Sequence, residues 1–189
     1  RRNNGLWIGS NDGLFFYDFR KHQLLMPFEE CDLVRGCIGS LIDNKGRLWI
    51  GCMTGMRVVD LRSRKNGKFA VETYRYKLDN PDSKLIDKIS CFCQARDGNI
   101  YIGSNGNGLY RLTGKKDGRM LFKALTTRDG LANNSVKGIV EGRYGRLWIA
   151  TNNGLSVMNP KDEAFSNYSE VDGLLCSHFY WNAAISGGN

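Results

Sequence analysis

The feature that most constrains this chain is a short segment that recurs four times along it. The copies are GLWIGSNDGL (5–14), GRLWIGCMTGM (46–56), GNIYIGSNGNGL (98–109) and GRLWIATNNGL (145–155). Their aromatic residues Trp7, Trp49, Tyr101 and Trp148 are 42, 52 and 47 residues apart, a mean of 47. A repeat of this length indicates a fold built from stacked supersecondary units.

Each copy has the pattern of short antiparallel strands. An apolar segment precedes the last three copies, at residues 37–42, 89–93 and 136–140, and ends at a tight turn that contains a glycine. Glycine supplies the positive φ that such hairpin turns require. Further strand patterns follow each copy, as at residues 56–61 and 69–76. Each unit is therefore predicted to be a four-stranded antiparallel meander.

A four-stranded unit that recurs about every 47 residues predicts the blade of a β-propeller, so the expected fold class is all-β with about four blades' worth of sequence. The run Leu48-Trp49-Ile50 is apolar at consecutive positions, which favours a strand buried on both faces. We therefore expect Trp49 and Trp148 to be almost inaccessible. The small residues that follow the anchor strands should let the next blade approach closely; they are Gly9, Gly51, Gly103 and Ala150.

The consensus of these units, Ile-x-x-Ile-x-x-Asp-x-x-Gly-x-Leu-Trp-Ile-Gly-x-x-x-Gly-Leu, closely resembles the two-component regulator propeller repeat. The best copy is residues 136–155, and residues 172–184 resemble the opening of the family's final blade. The chain departs from the family pattern at Cys37, Ser40, Tyr101 and Gly142. The predicted repeats lie near 1–30, 36–78, 87–127 and 134–170, with the start of a further blade at 177–189.

The resemblance implies a non-catalytic, extracytoplasmic sensor module of a hybrid histidine kinase, located in the periplasm of a Gram-negative bacterium. The implied ligand is a glycan or oligosaccharide, and the implied partners are the remaining blades and an adjacent sensor domain of the parent chain. A homodimer is left open, and no nucleic acid, metal or cofactor is expected. The alternatives are a WD-like scaffold propeller that binds a protein partner and a fragment of a propeller glycosidase.

The chain ends are out of step with the repeat, because the sequence starts at the second strand of one unit and stops after the first strand of another. One interpretation, which we favour, is a segment of a larger propeller. The other is a four-bladed ring in which residues 179–185 complete the first blade.

Aligning the repeats predicts a ligand-binding face at one end of the blades, before each innermost strand. The predicted site consists of Arg35, Lys88, Asn134, His178 and Trp181. A tryptophan among polar side chains suits stacking on a sugar ring, and a basic side chain suits an acidic sugar. We therefore expect an acidic oligosaccharide rather than a neutral one.

The sequence gives little support for nucleic-acid binding, phosphate binding, disulfides or a zinc site. The net charge is +8, but the basic clusters at residues 62–68 and 115–119 fall in turns expected at the outer rim, without the interleaved aromatics of a nucleic-acid surface. The glycine-rich stretch 103–108 is flanked by strands rather than by the helix that phosphate loops require. The six cysteines mostly fall in strand patterns, which favours buried free thiols over disulfides or a zinc site.

Overall fold

The computed structural model describes residues 5–28, 36–65, 68–74, 88–182 and 184–185. Within these ranges the chain forms four antiparallel sheets and two single 3₁₀ turns, at Thr127–Asp129 and Glu170–Asp172, and no α-helix. The predicted all-β class is confirmed.

The sheets follow one another along the chain, and we call them blades 1 to 4. Blade 1 contains β1 (Gly5–Gly9), β2 (Leu14–Asp18) and β3 (Gln23–Leu25). Blade 2 contains β4 (Cys37–Ile42), β5 (Arg47–Cys52), β6 (Gly55–Lys65) and β7 (Lys68–Tyr74). Blade 3 contains β8 (Ile89–Gln94), β9 (Ile100–Ser104), β10 (Leu109–Lys116) and β11 (Arg119–Leu125). Blade 4 contains β12 (Val136–Glu141), β13 (Leu147–Thr151), β14 (Leu155–Met158) and β15 (Phe165–Tyr168).

Within each blade, every strand pairs with the strand next to it in sequence. Blades 2, 3 and 4 are thus four-stranded meanders whose first strand lies at one edge, while blade 1 has three strands. The turns between the first and second strands contain Gly46, Gly98 and Gly145 at φ values of 72°, 89° and 72°. These are the turn glycines that the sequence pattern predicts, in the left-handed region that glycine adopts without strain.

The turn between β4 and β5 is fastened by the buried carboxylate of Asp43. Its Oδ1 accepts hydrogen bonds from the backbone N–H groups of Lys45 and Arg47, each at 2.9 Å. Its Oδ2 accepts from Arg47 Nε at 2.7 Å and from Trp49 Nε1 at 2.9 Å. Burial opposes ionisation of this carboxyl, but the hydrogen bonds from Trp49 and Arg47 outweigh it and hold its pKa below the usual value.

The blades are held together by apolar cores at their mutual faces. In each interface the anchor aromatic of one blade packs with residues of the next: Trp49 of β5 lies with Ile100 and Ile102 of β9, and Tyr101 lies with Leu147 and Ile149 of β13. Trp49 is fully buried, as expected from the sequence.

The small residues after the anchor strands allow this close approach. A Cβ added to Gly51 would lie 2.7 Å from Ile89 Cγ2 of the next blade, and one added to Gly103 would lie 2.7 Å from Val136 Cγ1. The expectation that glycine at this position lets neighbouring blades meet is confirmed.

The expectation that Trp148 is almost inaccessible is wrong, because its side chain is 39% exposed. Leu147 and Ile149 point toward blade 3, so Trp148, between them on β13, points to the opposite face of blade 4. There it stacks on Tyr168 with ring centroids 6.4 Å apart and lines a 510 Å³ hollow with Arg143, Tyr144 and Arg146. Sequence periodicity predicted the strand correctly but could not show that this face lacks a following blade among the described residues.

The described residues at the two ends of the array do not join into a ring. In the described part of the chain, β1 is an edge strand that pairs with β2 alone. The described residues of 177–185 form no strand and do not complete blade 1. Among the described residues the four-bladed ring is therefore not formed, and the four sheets follow one another as an open series.

Five cysteines lie in the described residues, all as free thiols: Cys37, Cys52, Cys91, Cys93 and Cys176. Burial raises the pKa of Cys37 and of Cys91 to about 12. Cys31 lies outside the described residues. In the part of the chain that the structure covers, no helix is long and apolar enough to cross a membrane.

Candidate functional site

The most unusual charged side chain on the inner side of the blades is Lys137. It is the second residue of β12, the innermost strand of blade 4, and is only 8% exposed. Its ammonium Nζ donates a hydrogen bond to Asn105 Oδ1 at 3.1 Å and lies 5.5 Å from the centre of the Trp181 ring. A cation, an amide and an aromatic ring are thus brought together from distant parts of the sequence.

Asn105 reaches this place because it lies in the turn between β9 and β10 of blade 3. Its backbone forms an isolated antiparallel bridge with Ser135, just before β12, and its N–H donates to Lys88 O at 2.9 Å. Ser135 Oγ donates to Asn105 Oδ1 at 2.9 Å. The amide oxygen of Asn105 therefore accepts from both Ser135 and Lys137 and ties blade 3 to blade 4.

Trp181 is held by its neighbour Asn182. The backbone N–H of Asn182 donates to Lys137 O at 2.9 Å, and its Nδ2 donates to Ile38 O of β4 at 2.9 Å. Residue 182 therefore bridges the innermost strands of blades 2 and 4. The Trp181 ring is 44% exposed, so a ligand can reach it.

The Lys137 ammonium group has no carboxylate partner among the described residues. Among the described residues, no Asp or Glu forms an ion pair with Lys137, and burial lowers its pKa below the usual lysine value. Burial of an ammonium group is costly unless it is paired, so this group favours an incoming negative charge.

Of the residues that the sequence predicted to form one site, Lys88 and Asn134 contact the β9–β10 turn through their carbonyl groups, and Trp181 lies beside Lys137. Arg35 lies outside the described residues. Lys88 has an exposed side chain, and its backbone contacts the turn that carries Asn105. His178 is exposed, and its carbonyl accepts a hydrogen bond from Cys176 Sγ at 3.5 Å.

Asn134 serves the backbone rather than an open face. Its Oδ1 accepts from Thr127 N at 2.9 Å, and its carbonyl accepts from Gly106 N and Gly108 N at 3.0 and 2.8 Å. Of the described members of the predicted set, Trp181 contacts this cluster through its side chain and Lys88 contacts it through its backbone carbonyl.

Sequence reasoning missed both Lys137 and Asn105. One signal was available for Lys137: it is a charged residue inside an inner strand, where the equivalent positions hold Ile38 and Ser90. No comparable signal marks Asn105, because its role depends on how blade 3 meets blade 4.

A second charged cluster lies between blades 3 and 4, around Glu163. One of its oxygens lies 3.0 Å from Arg111 Nη2, and the other contacts Lys123 Nζ. These charges are paired with one another, which indicates an interblade contact rather than a ligand site. Among the described residues there is no group of three or more side chains suited to hold a metal ion.

Comparison with known proteins agrees with the repeat pattern. The family model described as "Two component regulator propeller" matches residues 84–106 and 130–153. The second match contains Lys137 and the anchor Trp148. Two segments of the chain are therefore similar to two-component regulator propeller repeats.

A curated relative extends this similarity beyond the two matched repeats. The chain is 27% identical over 150 residues to "Histidine kinase P4" from Formosa agariphila, an alignment that covers 78% of this chain and 10% of that protein. The chain thus spans about a tenth of the length of the relative.

Solved structures carry the same fold. The extracellular domain assigned to the hybrid two-component system BT3049 of B. thetaiotaomicron superposes with a TM-score of 0.71 at 23% identity, covering 92% of this chain and 23% of that one. A streptogramin B lyase superposes with a TM-score of 0.56 at 18% identity, covering 89% of this chain and 52% of the lyase. At these identities the likeness establishes the propeller fold, which serves both sensors and enzymes. Within that fold, the match at residues 84–106 and 130–153 makes this chain similar to the regulator propellers.

Proposed function

We propose that this chain is part of the extracytoplasmic sensing propeller of a hybrid two-component histidine kinase, that it lies in the periplasm, and that it recognises an oligosaccharide without catalysis. The observation that carries the proposal is the occurrence of two regulator propeller repeats in a chain that is similar over 150 residues to a histidine kinase. The similarity to the extracellular domain of a hybrid two-component system supports the same location.

The candidate site supports a sugar as the ligand class. Trp181 presents a partly exposed aromatic ring beside a cation, and aromatic rings stack on the apolar faces of sugars while polar groups fix their orientation. A protein partner would require a larger surface than this cluster provides.

Signalling follows from population shift. A ligand changes the kinase only if it binds one arrangement of the propeller more tightly than another. Residue 182 contacts blades 2 and 4 directly after Trp181, so a ligand on the ring acts on the spacing of these blades. The remaining blades and a neighbouring sensor domain are the proposed partners in the parent protein.

The proposal is tested on the complete natural protein in membrane vesicles. Autophosphorylation from radiolabelled ATP is measured with a panel of neutral and acidic oligosaccharides, for the native protein and for Trp181→Ala. Tyr180→Ala is the matched control, because Tyr180 is an adjacent aromatic residue that is 87% exposed. We expect at least one oligosaccharide to change the phosphorylation level, and the change to be lost in Trp181→Ala and kept in Tyr180→Ala.

An active kinase that responds to no oligosaccharide in the panel would overturn the proposed ligand class. A response that persists in Trp181→Ala would place recognition elsewhere in the protein.

A further inference from the structure

Lys137 occupies a position where burying a charge has an energetic cost. It lies in an inner strand, where blades 2 and 3 have Ile38 and Ser90, and it is 8% exposed. Among the described residues, its ammonium group contacts one neutral amide oxygen, that of Asn105, and one aromatic ring, that of Trp181. A hydrogen bond to a neutral group and a ring contact offset only part of the cost of burying an ammonium group.

The hydrogen-bonding capacity that remains at this place consists of donors. A lysine ammonium carries three N–H donors, and Asn105 Oδ1 receives one of them. That oxygen also accepts from Ser135 Oγ, so both of its lone pairs are used. The backbone N–H of Asn105 donates to Lys88 O, so the remaining hydrogen-bonding group of Asn105 is its side-chain Nδ2 amide, which is also a donor. Lys137 and Asn105 together can therefore satisfy an acceptor with negative charge.

The ring of Trp181 limits which anion fits. An anion alone gains nothing from an indole face, since the face of an aromatic ring carries negative partial charge. A sugar residue that carries a carboxylate or sulfate can place its apolar C–H face on the exposed part of the ring and its charged group on Lys137. The two features then act on one ligand.

We propose that Lys137, Asn105 and Trp181 form a subsite for an anionic sugar residue, with the Lys137 ammonium and the Asn105 amide binding its carboxylate or sulfate. This inference rests on the proposed function for the oligosaccharide and adds the substrate class. It assigns charge recognition to Lys137 and Asn105, neither of which the repeat alignment selected.

Titration calorimetry on the complete protein tests the subsite. The ligands are trigalacturonate, a sulfated heparin disaccharide and neutral maltotriose, so that carboxylate and sulfate are distinguished from each other and from an uncharged sugar. The variants are Lys137→Met, which keeps chain length without the charge, and Lys137→Arg, which restores a cation. Lys116→Met is the control, because Lys116 is an exposed lysine on the β10–β11 hairpin and its loss changes the net charge equally.

For at least one of the two acidic ligands, we expect Lys137→Met to weaken binding about tenfold or more, as for a lost charge-assisted hydrogen bond. Lys137→Arg should recover part of this loss, and Lys116→Met should have no effect. Circular dichroism of each variant verifies that it is folded.

Acidic ligands that bind Lys137→Met as tightly as the native protein would overturn the subsite and leave the proposed function standing. Binding of maltotriose alone would have the same consequence. Failure of all three sugars to bind would overturn the subsite, and the phosphorylation assay with the wider panel would then decide the proposed function separately.

Discussion

At the scale of single residues, Asp43 shows how one buried carboxylate can organise a turn and a blade interface together. Its two oxygens accept four hydrogen bonds, from Lys45 N, Arg47 N, Arg47 Nε and Trp49 Nε1. Replacing Asp43 with alanine leaves the buried Trp49 Nε1 donor unpaired and removes three further hydrogen bonds, so we expect the free energy of unfolding to fall by about 1–3 kcal/mol. Equilibrium urea unfolding followed by tryptophan fluorescence measures the change.

The control for this prediction is Asp60→Ala, which removes an exposed carboxylate paired with Arg62. Surface ion pairs contribute little, so this variant should unfold at nearly the same urea concentration as the native chain. Equal effects of the two substitutions would contradict the role given to Asp43.

The pH dependence of stability follows from the same residue. The pKa of Asp43 is lower in the folded chain than in the unfolded one, so its ionised form contributes stability above the ordinary aspartate pKa. That contribution is lost as the pH falls through the folded-state pKa. We expect the stability difference between the native chain and Asp43→Asn to be constant near neutral pH and to shrink as the pH falls from about 5 to about 3, through and below the ordinary aspartate pKa. A difference that stays constant over this range would contradict the prediction.

The cysteines differ in how readily their thiols ionise and react. Burial raises the pKa of Cys37 and Cys91 to about 12 and that of Cys93 to about 11, so they carry very little thiolate near neutral pH. Cys176 is exposed. In the native chain we expect an alkylating reagent to modify Cys176 faster than Cys37, Cys91 and Cys93, as measured by peptide mass mapping. A urea-denatured sample, in which all of them react, is the control.

At the scale of the strands, the approach of neighbouring blades depends on the absence of a side chain at Gly51. A Cβ at this position would meet Ile89 Cγ2 at 2.7 Å and Ile89 O at 3.0 Å. Gly51→Ala should therefore force blades 2 and 3 apart and lower the free energy of unfolding by about 1–3 kcal/mol, as overpacking does elsewhere.

Ser40→Val serves as the comparison for Gly51→Ala. Ser40 is an exposed residue of the adjacent strand β4, so it can accept added bulk. In urea unfolding, the free energy of unfolding of Gly51→Ala should be lower than that of Ser40→Val. Equal stability of Gly51→Ala and the native chain would mean that the blades are farther apart than described.

The strands also show how far the sequence alone could lead. The pattern around Trp49 predicted a strand buried on both faces, because consecutive apolar residues have a direct structural meaning. The cluster at Lys137 could not be predicted in this way. Its partners Asn105 and Trp181 are 32 residues before and 44 residues after it, and no local pattern indicates that they meet. Asn134 was predicted to face a ligand, and the structure adds contacts that the alignment did not indicate: its carbonyl accepts from the β9–β10 turn and its side chain accepts from Thr127 N.

At the scale of the whole molecule, the first and last blades expose complementary faces. Trp148 is 39% exposed on blade 4, whereas the equivalent Trp49 is covered by blade 3. On blade 1, Leu6 and Ile8 are 54% and 39% exposed, whereas the equivalent Leu48 and Ile50 of blade 2 are buried. One face therefore has the form that receives a following blade, and the other has the form that receives a preceding blade.

Hydroxyl-radical footprinting tests whether blades of a larger propeller cover these faces. In the 189-residue chain, we expect Trp148 to be oxidised much faster than Trp49, in line with their exposures. In the complete protein, we expect Trp148 to become as protected as Trp49. Trp181 is the internal reference, because it lies on the inner side of the blades rather than on the face of blade 4. Rapid oxidation of Trp148 in both proteins would contradict a following blade.

Asn182 gives the array a mechanical property. Its side chain and backbone connect Ile38 and Lys137, on strands that lie at the inner edges of two blades separated by a third. When the spacing of the inner strands changes slightly, the blades rotate relative to one another, and their outer strands move through a larger distance than their inner strands. A displacement of Asn182 that changes the spacing of these inner strands therefore produces a larger movement at the β6–β7 and β14–β15 hairpins, which lie at the outer edges of the same two blades.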